Sequence, residues 1–227
     1  MSVLIVAAHP DDEVLGCGGT AYQLAAKGIE VRACILSAEV DARSDKPVAE
    51  ELRSDIESAS KILGLVEPIL GGFPNIRFNT VPHLEIVQFI EEAIVSNEVD
   101  TIFTHHPADL HDDHKHTSNA CQAAPRIFQR RPNISPLKSL YFMEVPSSTD
   151  WAFPVGDTFK ADSFFEIGDE GIEQKLKALA AYRGIMREFP HPRSIEIVRS
   201  LAALRGGQAG MRYAEAFQTA FNAMNRV

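Results

Sequence analysis

The chain has 227 residues, 45% of them hydrophobic and 23% charged, which fits one domain of ordinary size with a substantial core. Lys and Arg number 22 against 31 Asp and Glu, giving a net charge of −9, and no basic stripe is present to displace counterions from a nucleic-acid backbone. No apolar run is long enough to span a bilayer, and Met1-Ser2-Val3-Leu4-Ile5-Val6 lacks a basic n-region and a cleavage site, so the expectation is a cytoplasmic protein with no secretory signal and no membrane span.

Val3 to Ala8 is a short apolar run rich in β-branched residues and reads as a fully buried strand. Val14 to Lys27 reads as a helix ended by Gly28, and Val31 to Ser37 as a second strand. Val48 to Leu63 is a helix stopped by Gly64, and Pro68 to Leu70 a short third strand before a Gly71-Gly72 turn. Leu84 to Ser96 has apolar residues at helical spacing, and Thr101 to Thr104 is a strand ending at His105-His106-Pro107. Ser139 to Val145 reads as one more strand, Ser147 to Lys160 is irregular and holds the single tryptophan, Trp151, and Glu173 to Arg187 and Ser194 to Arg205 read as closing helices. This alternation predicts a Rossmann-like, doubly wound α/β fold with a mostly parallel sheet and helices on both faces, as a single domain over residues 1–227.

In such a sheet, ligands bind beyond the carboxyl ends of the strands, where the strand order reverses. An order of 3-2-1-4-5 makes the first and fourth strands neighbours at that crevice. Two polar clusters follow those strands. The first is His9-Pro10-Asp11-Asp12-Glu13 and the second runs from His105 to His116, with five of the eight histidines. His and carboxylates on a strand-to-helix turn offer nitrogen and oxygen to a divalent metal. The plainer readings are a carboxylate capping the following helix, which accounts for one of Asp11 and Asp12 but not for His9, and a solvated polar loop around the second cluster.

His9, Asp12 and His114 form a two-histidine, one-carboxylate set with a position left open for water, as in a catalytic zinc site and unlike a closed structural one. Asp11 is then placed to take a proton, and His111, if protonated, to stabilise an oxyanion. The same donors admit iron(II). Gly16-Cys17-Gly18-Gly19 lacks GxGxxG spacing and lies beside three acids that repel phosphate, so these glycines read as room for close helix packing. Cys17, Cys34 and Cys121 are odd in number, have no CxxC spacing, and read as small buried thiols.

At Ala8-His9-Pro10-Asp11-Asp12-Glu13 with Gly18-Gly19, at Thr104-His105-His106-Pro107 with Asp109, His111, Asp113 and His114, and at Arg205-Gly206 through Tyr213-Ala214-Glu215-Ala216-Phe217, the chain resembles the PIG-L/LmbE family of zinc N-deacetylases. That resemblance implies a hydrolase that removes an N-acetyl group from an N-acetylglucosamine-type amino sugar or glycoconjugate. It implies one zinc ion held by His9, Asp12 and His114, with Asp11 as general base and His111 assisting the tetrahedral intermediate. Arg53, with Asp55 the nearest acid, stands where the family often has a substrate-contacting arginine, and Asp109 is a further candidate contact. Pro146 to Trp151 and Phe189 to Ser194 are similar to members linked to bacterial surface-polysaccharide pathways, which adds Trp151 and Arg193 as candidate contacts. In that subgroup an asparagine often stands at the position of His111. The implied partner is a small-molecule amino sugar, not a nucleic acid, and a homo-oligomer is compatible with the sequence.

Two other functions fit some of the same residues. A metal-dependent phosphohydrolase expects two ions about 4 Å apart and basic residues facing the phosphate, and none are evident near either cluster. A non-catalytic sugar- or nucleotide-binding module on the same fold expects a missing ligand or base, whereas His9, Asp11, Asp12 and His114 are all present.

Overall fold

The computed structural model describes residues 1–38 and 49–223. One seven-stranded sheet has the order β3-β2-β1-β4-β5-β7-β6. Its strands are β1 (Ser2–Ala7), β2 (Glu30–Ile35), β3 (Ile69–Leu70), β4 (Thr101–His105), β5 (Ser139–Met143), β6 (Ser163–Glu166) and β7 (Ala214–Asn222). β1 to β5 run parallel, in the order assumed above for the crevice, while β7 pairs antiparallel with both β5 and β6. The helices are α1 (Asp12–Ala26), α2 (Ala49–Leu63), α3 (His83–Ser96), α4 (Asp112–Ala123), α5 (Gly168–Ala181) and α6 (Ile195–Ala209). Val48, the expected start of α2, lies outside the described residues.

Successive side chains of a strand point to opposite faces. Val3 and Ile5 of β1 accordingly join one core, with Leu15, Leu52, Ile56, Ile172, Leu179 and Val198 from α1, α2, α5 and α6. Leu4 and Val6 join the other, with Ile86, Ile90, Ala120 and Cys121 from α3 and α4. A strand buried on both faces has no polar alternation to show, which is why β1 reads as a continuous apolar run. All three cysteines are buried and unpaired, as expected.

The glycines of α1 do serve packing. A Cβ at Gly16 would lie 2.6 Å from Met143 Sδ, and one at Gly19 2.8 Å from Ile167 Cδ1. A buried ion pair is seated against the same stretch. Lys175 Nζ donates to Leu15 O at 2.7 Å and to Glu215 Oε1 at 2.6 Å. Glu215 in turn accepts from Gly19 N at 2.9 Å and Thr20 N at 2.7 Å.

The C-terminal third departs from expectation in three places. The helix expected from Glu173 to Arg187 spans Gly168–Ala181 instead. Beyond it Tyr182 turns extended, and Gly184 takes a φ of 70°, which no helix interior accommodates. α6 continues through Gly206 and Gly207 and ends at Gly210, whose φ is 72°. Gly206 stays in the helix at a close approach, where a Cβ would sit 2.6 Å from Met211 O. Strands β6 and β7 are additions that the sequence reading did not include.

Candidate active site

β1 and β4 are adjacent and parallel, so the turns that follow them meet at one edge of the sheet. The turn after β1 runs directly into α1. Asp11 is the N-cap residue with φ 97° and ψ −29°, a left-handed conformation costing a non-glycine residue about 1–3 kcal/mol. Its strain is held from two sides. Asp11 N donates to Glu13 Oε2 at 3.0 Å, and Tyr182 Oη donates to Glu13 Oε1 at 2.5 Å. Glu13 is fully enclosed; burial, with Asp11 and Asp12 nearby, raises its pKa to about 8. The capping reading of the acids is not what the structure shows, because Asp11 makes no side-chain cap and Asp12 already belongs to the helix.

After β4, the chain reaches α4 with His111 as N-cap, its Nδ1 accepting from Asp113 N at 3.2 Å. His114 follows on the first turn. Asp12 Oδ2 lies 3.3 Å from His9 Nδ1 and 3.1 Å from His114 Nε2. Two further carboxylates orient these imidazoles from behind. Asp113, 104 residues from His9 in the chain, accepts from His9 Nε2 at 2.9 Å and also from Ile76 N at 2.7 Å and Phe78 N at 3.0 Å. Asp109 Oδ1 lies 3.2 Å from His114 Nδ1. Asp109 is itself fixed by Thr149 Oγ1 at 2.8 Å, His111 N at 2.9 Å and Ser148 Oγ. Each ring therefore bonds a carboxylate through one nitrogen and presents the other to Asp12. Metal-ligating histidines are oriented in this way, and the two-nitrogen, one-oxygen donor set fits a divalent ion.

Two overlapping groups of donors lie within 4.8 Å, His9 with His111 and His114, and Asp12 with His105 and His114. Both depend on His114, whose Nδ1 already faces Asp109, so they describe one ion site and not two. His105 is closed to a ligand at Nε2, which accepts from Ala8 N at 2.9 Å. It contributes instead by stacking its ring on His114 at 3.7 Å between centroids. His106 and His116 turn away, the first to Gln218 at 3.1 Å and the second to Asp112 at 3.4 Å. Three of the five clustered histidines thus converge on the site.

Charge in the cluster follows from these contacts. Burial disfavours the charged form of His114, but Asp12 and Asp109 outweigh it and raise the pKa to about 10. His111 moves the other way, to about 4, through burial and the positive neighbours His114 and His9. His111 is therefore neutral near pH 7, and with Nδ1 accepting from the backbone its proton resides on Nε2. The condition attached to His111 above, that it be protonated, is therefore not met near pH 7, and the hydrogen it offers is that of a neutral ring.

These groups form the floor of a cavity of about 510 Å³, lined by His9, Asp11, Asp12, His111 and His114 with residues from three other segments. Ser147 and Ser148 come from the loop after β5, and Asn75 and Ile76 from the segment before α3. Arg183, Arg187 and Arg193 come from the stretch after α5. Arg193 reaches Asp11 Oδ2 at 3.4 Å and donates to Ser147 Oγ at 2.7 Å, so this sequence candidate is at the site. Asp109 is behind His114 and not on the cavity wall. Trp151 is half exposed, with its ring against His191 at 5.4 Å, and does not line the cavity. Arg53 is on the outer face of α2, paired with Glu57 at 3.2 Å, and does not line it either. Asp55 instead accepts from the backbone of Arg183 at 3.1 Å. The sequence reading missed Glu13, Tyr182, Asp113, Arg183 and Arg187 as parts of this site. Glu13 and Asp113 lie inside the motifs already singled out; nothing local marks the other three.

Residues 4–125 match the family described as GlcNAc-PI de-N-acetylase. The uncharacterized deacetylase YaiS of Escherichia coli (strain K12) is 31% identical over 137 residues, 55% of this chain and 70% of that protein. Among solved structures, the conserved protein TT1542 of Thermus thermophilus aligns over 99% of this chain and 97% of its own, with TM-score 0.80 and 26% identity. The N,N'-diacetylchitobiose deacetylase of Pyrococcus horikoshii aligns over 96% and 83%, with TM-score 0.78 and 21% identity. GalB, the 4-carboxy-2-hydroxymuconate hydratase of Pseudomonas putida KT2440, aligns over 100% and 99%, with TM-score 0.78 and 19% identity. At those last two identities the likeness is one of fold alone, and it does not choose a reaction.

Proposed function

The chain belongs to the GlcNAc-PI de-N-acetylase (PIG-L) family and is a metal-dependent N-deacetylase; from that premise we propose that it hydrolyses the N-acetyl amide of an amino sugar or glycoconjugate of the N-acetylglucosamine type. One observation carries the reading. Asp113 and Asp109 turn His9 and His114 so that Nδ1 and Nε2 converge on Asp12 at the cavity floor, with Asp11 beside them on the wall.

In this reading His9, Asp12 and His114 hold the ion, zinc by preference and iron(II) by the same donors. Such an ion, when bound, polarises the acyl carbonyl and makes water acidic enough to attack it near neutral pH. Asp11 takes the proton from the attacking water and returns it to the sugar nitrogen as the C–N bond breaks, releasing acetate and a free amine. In this reading His111 Nε2–H donates to the acyl oxygen as charge develops there. Arg193 and the Glu13–Tyr182 pair fix the position of Asp11. The amino-sugar part of the substrate rests on the resemblance of the sequence motifs and on the matched family, GlcNAc-PI de-N-acetylase.

The test is a panel of free, nucleotide-linked and lipid-linked N-acetylamino sugars incubated with zinc-loaded protein. A new primary amine and an equal amount of acetate are expected from at least one member, with none after treatment by a chelator. Silence across the panel in protein whose zinc content is stoichiometric overturns the reading.

A further inference from the structure

Three guanidinium groups line the cavity from one short stretch, Arg183, Arg187 and Arg193, in a chain whose net charge is −9. Two of them have partners. Arg183 pairs with Glu51 at 2.9 Å and lies 3.5 Å from Asp55. Arg193 is engaged with Asp11 and Ser147. Arg187 differs. Its backbone amide donates to Arg193 O at 3.3 Å, which closes the 187–193 loop. Its side chain is exposed at the cavity mouth and, among the described residues, has no hydrogen bond or ion pair.

The carboxylates of the cavity do not balance it. Asp12 is buried among imidazoles on the floor, and Asp11 is beside Arg193. Among the described lining residues this leaves Arg187 as the guanidinium without a carboxylate partner. A planar guanidinium with its donors unpaired suits a carboxylate or phosphate, which it binds through two parallel hydrogen bonds. A neutral sugar hydroxyl has no comparable requirement for it.

Resting on the deacetylase reading, we infer that the substrate carries an anionic group, a phosphate or carboxylate, on the part of the molecule that faces the cavity mouth, and that Arg187 binds it with Arg183 alongside. The amide to be cut then lies at the floor and the anion at the mouth. The anion contributes to binding and orientation, not to the bond-breaking step.

Three probes test this with the metal-loaded full chain, namely methyl N-acetylglucosaminide, N-acetylglucosamine 1-phosphate and a carboxymethyl glycoside of N-acetylglucosamine. At low salt, kcat/KM for at least one anionic probe is expected to exceed that of the neutral one by about tenfold or more, chiefly through KM. The phosphate and carboxylate arms identify which anion is preferred. In Arg187→Ala the ratio of anionic to neutral kcat/KM should fall toward one, and Arg187→Lys should recover part of it. Equal values for all three probes, or a preference that Arg187→Ala leaves intact, overturns the inference while the deacetylase reading stands. Calorimetric binding of the same probes separates the opposite case. An Arg187-dependent preference in affinity, with no acetate released from any probe by the wild-type protein, keeps the anion site and overturns the deacetylase reading.

Discussion

Asp11 is held in a left-handed conformation that an aspartate adopts at a cost, and the residues that hold it are as informative as Asp11 itself. Asp11→Asn keeps the shape and removes the capacity to accept a proton. Its kcat should fall by roughly 10²–10⁴-fold with zinc content unchanged by elemental analysis. Normal acetate release by that variant removes Asp11 from the role. Glu13 is predicted to act through Asp11 only. Glu13→Ala leaves two buried donors, Asp11 N–H and Tyr182 O–H, without an acceptor, at about 1–3 kcal/mol each, readable by urea unfolding. Glu13→Gln retains an acceptor and should restore most of that loss. The pH dependence has a definite sign. Folding raises the pKa of Glu13 from 4.5 to about 8, so its contribution is fully present below 4.5 and is lost as pH rises through 8. The stability of Glu13→Gln relative to wild type should therefore increase across that window. A difference that is flat with pH shows that Glu13 is ionised in the folded protein.

At the scale of elements, the site depends on two helix starts, and α1 is anchored well beyond its first turn. The Lys175–Glu215 pair joins α5 and β7 to the backbone of α1, with both side chains 6% exposed. Lys175→Met strands a buried carboxylate, and a loss of about 3–5 kcal/mol is expected in urea or thermal unfolding. A loss below about 1 kcal/mol refutes the view that this pair secures the helix. The sequence made β1, β2 and β4 legible as short apolar runs, as a strand covered on both faces must be, whereas their order was an assumption that the runs themselves do not encode. It made His9, Asp11, Asp12 and His114 legible because a metal site needs those residue types at strand ends. It did not show where α5 ends or α6 continues, since glycines read as stops there serve close packing in one case and a turn in the other. Nor did it show Tyr182 or the arginines. Their relation to Asp11 exists only once α5 packs against α1, and no spacing in the chain encodes that contact. Arg53 is exposed on α2, paired with Glu57 and away from the cavity lining, because family position alone cannot say which face of α2 looks toward the cavity.

For the molecule as a whole, the four imidazoles and the carboxylates around Asp12 make folding, protons and metal one linked system. In the metal-free protein the raised pKa of His114 stabilises the fold below its ordinary value of 6.5, and that contribution disappears as pH rises through about 10. An ion held by His114, as proposed, would displace this proton. Zinc binding is thus expected to release protons and to weaken as pH falls, which calorimetry in buffers of different ionisation enthalpy would detect. A zinc concentration of about 100 times Kd should stabilise the fold by about 2.7 kcal/mol, seen as a higher Tm that a chelator reverses. An unchanged Tm at that concentration shows that zinc does not bind the folded protein in preference to the unfolded chain, which the proposed site requires. Among the described residues no helix is long and apolar enough to cross a membrane.

The 183–193 stretch lies past the end of the region that matches the family, residues 4–125, yet it forms one bank of the cavity. On the proposed reading the ion-holding residues and Asp11 come from the first half of the chain, while this later stretch supplies Arg187 for the anion and Arg193 to steady Asp11. Grafting a different loop between α5 and α6 that keeps Tyr182 and Arg193, the two residues of that loop that hold Asp11 in place, should redirect which molecules are accepted while acetyl release continues.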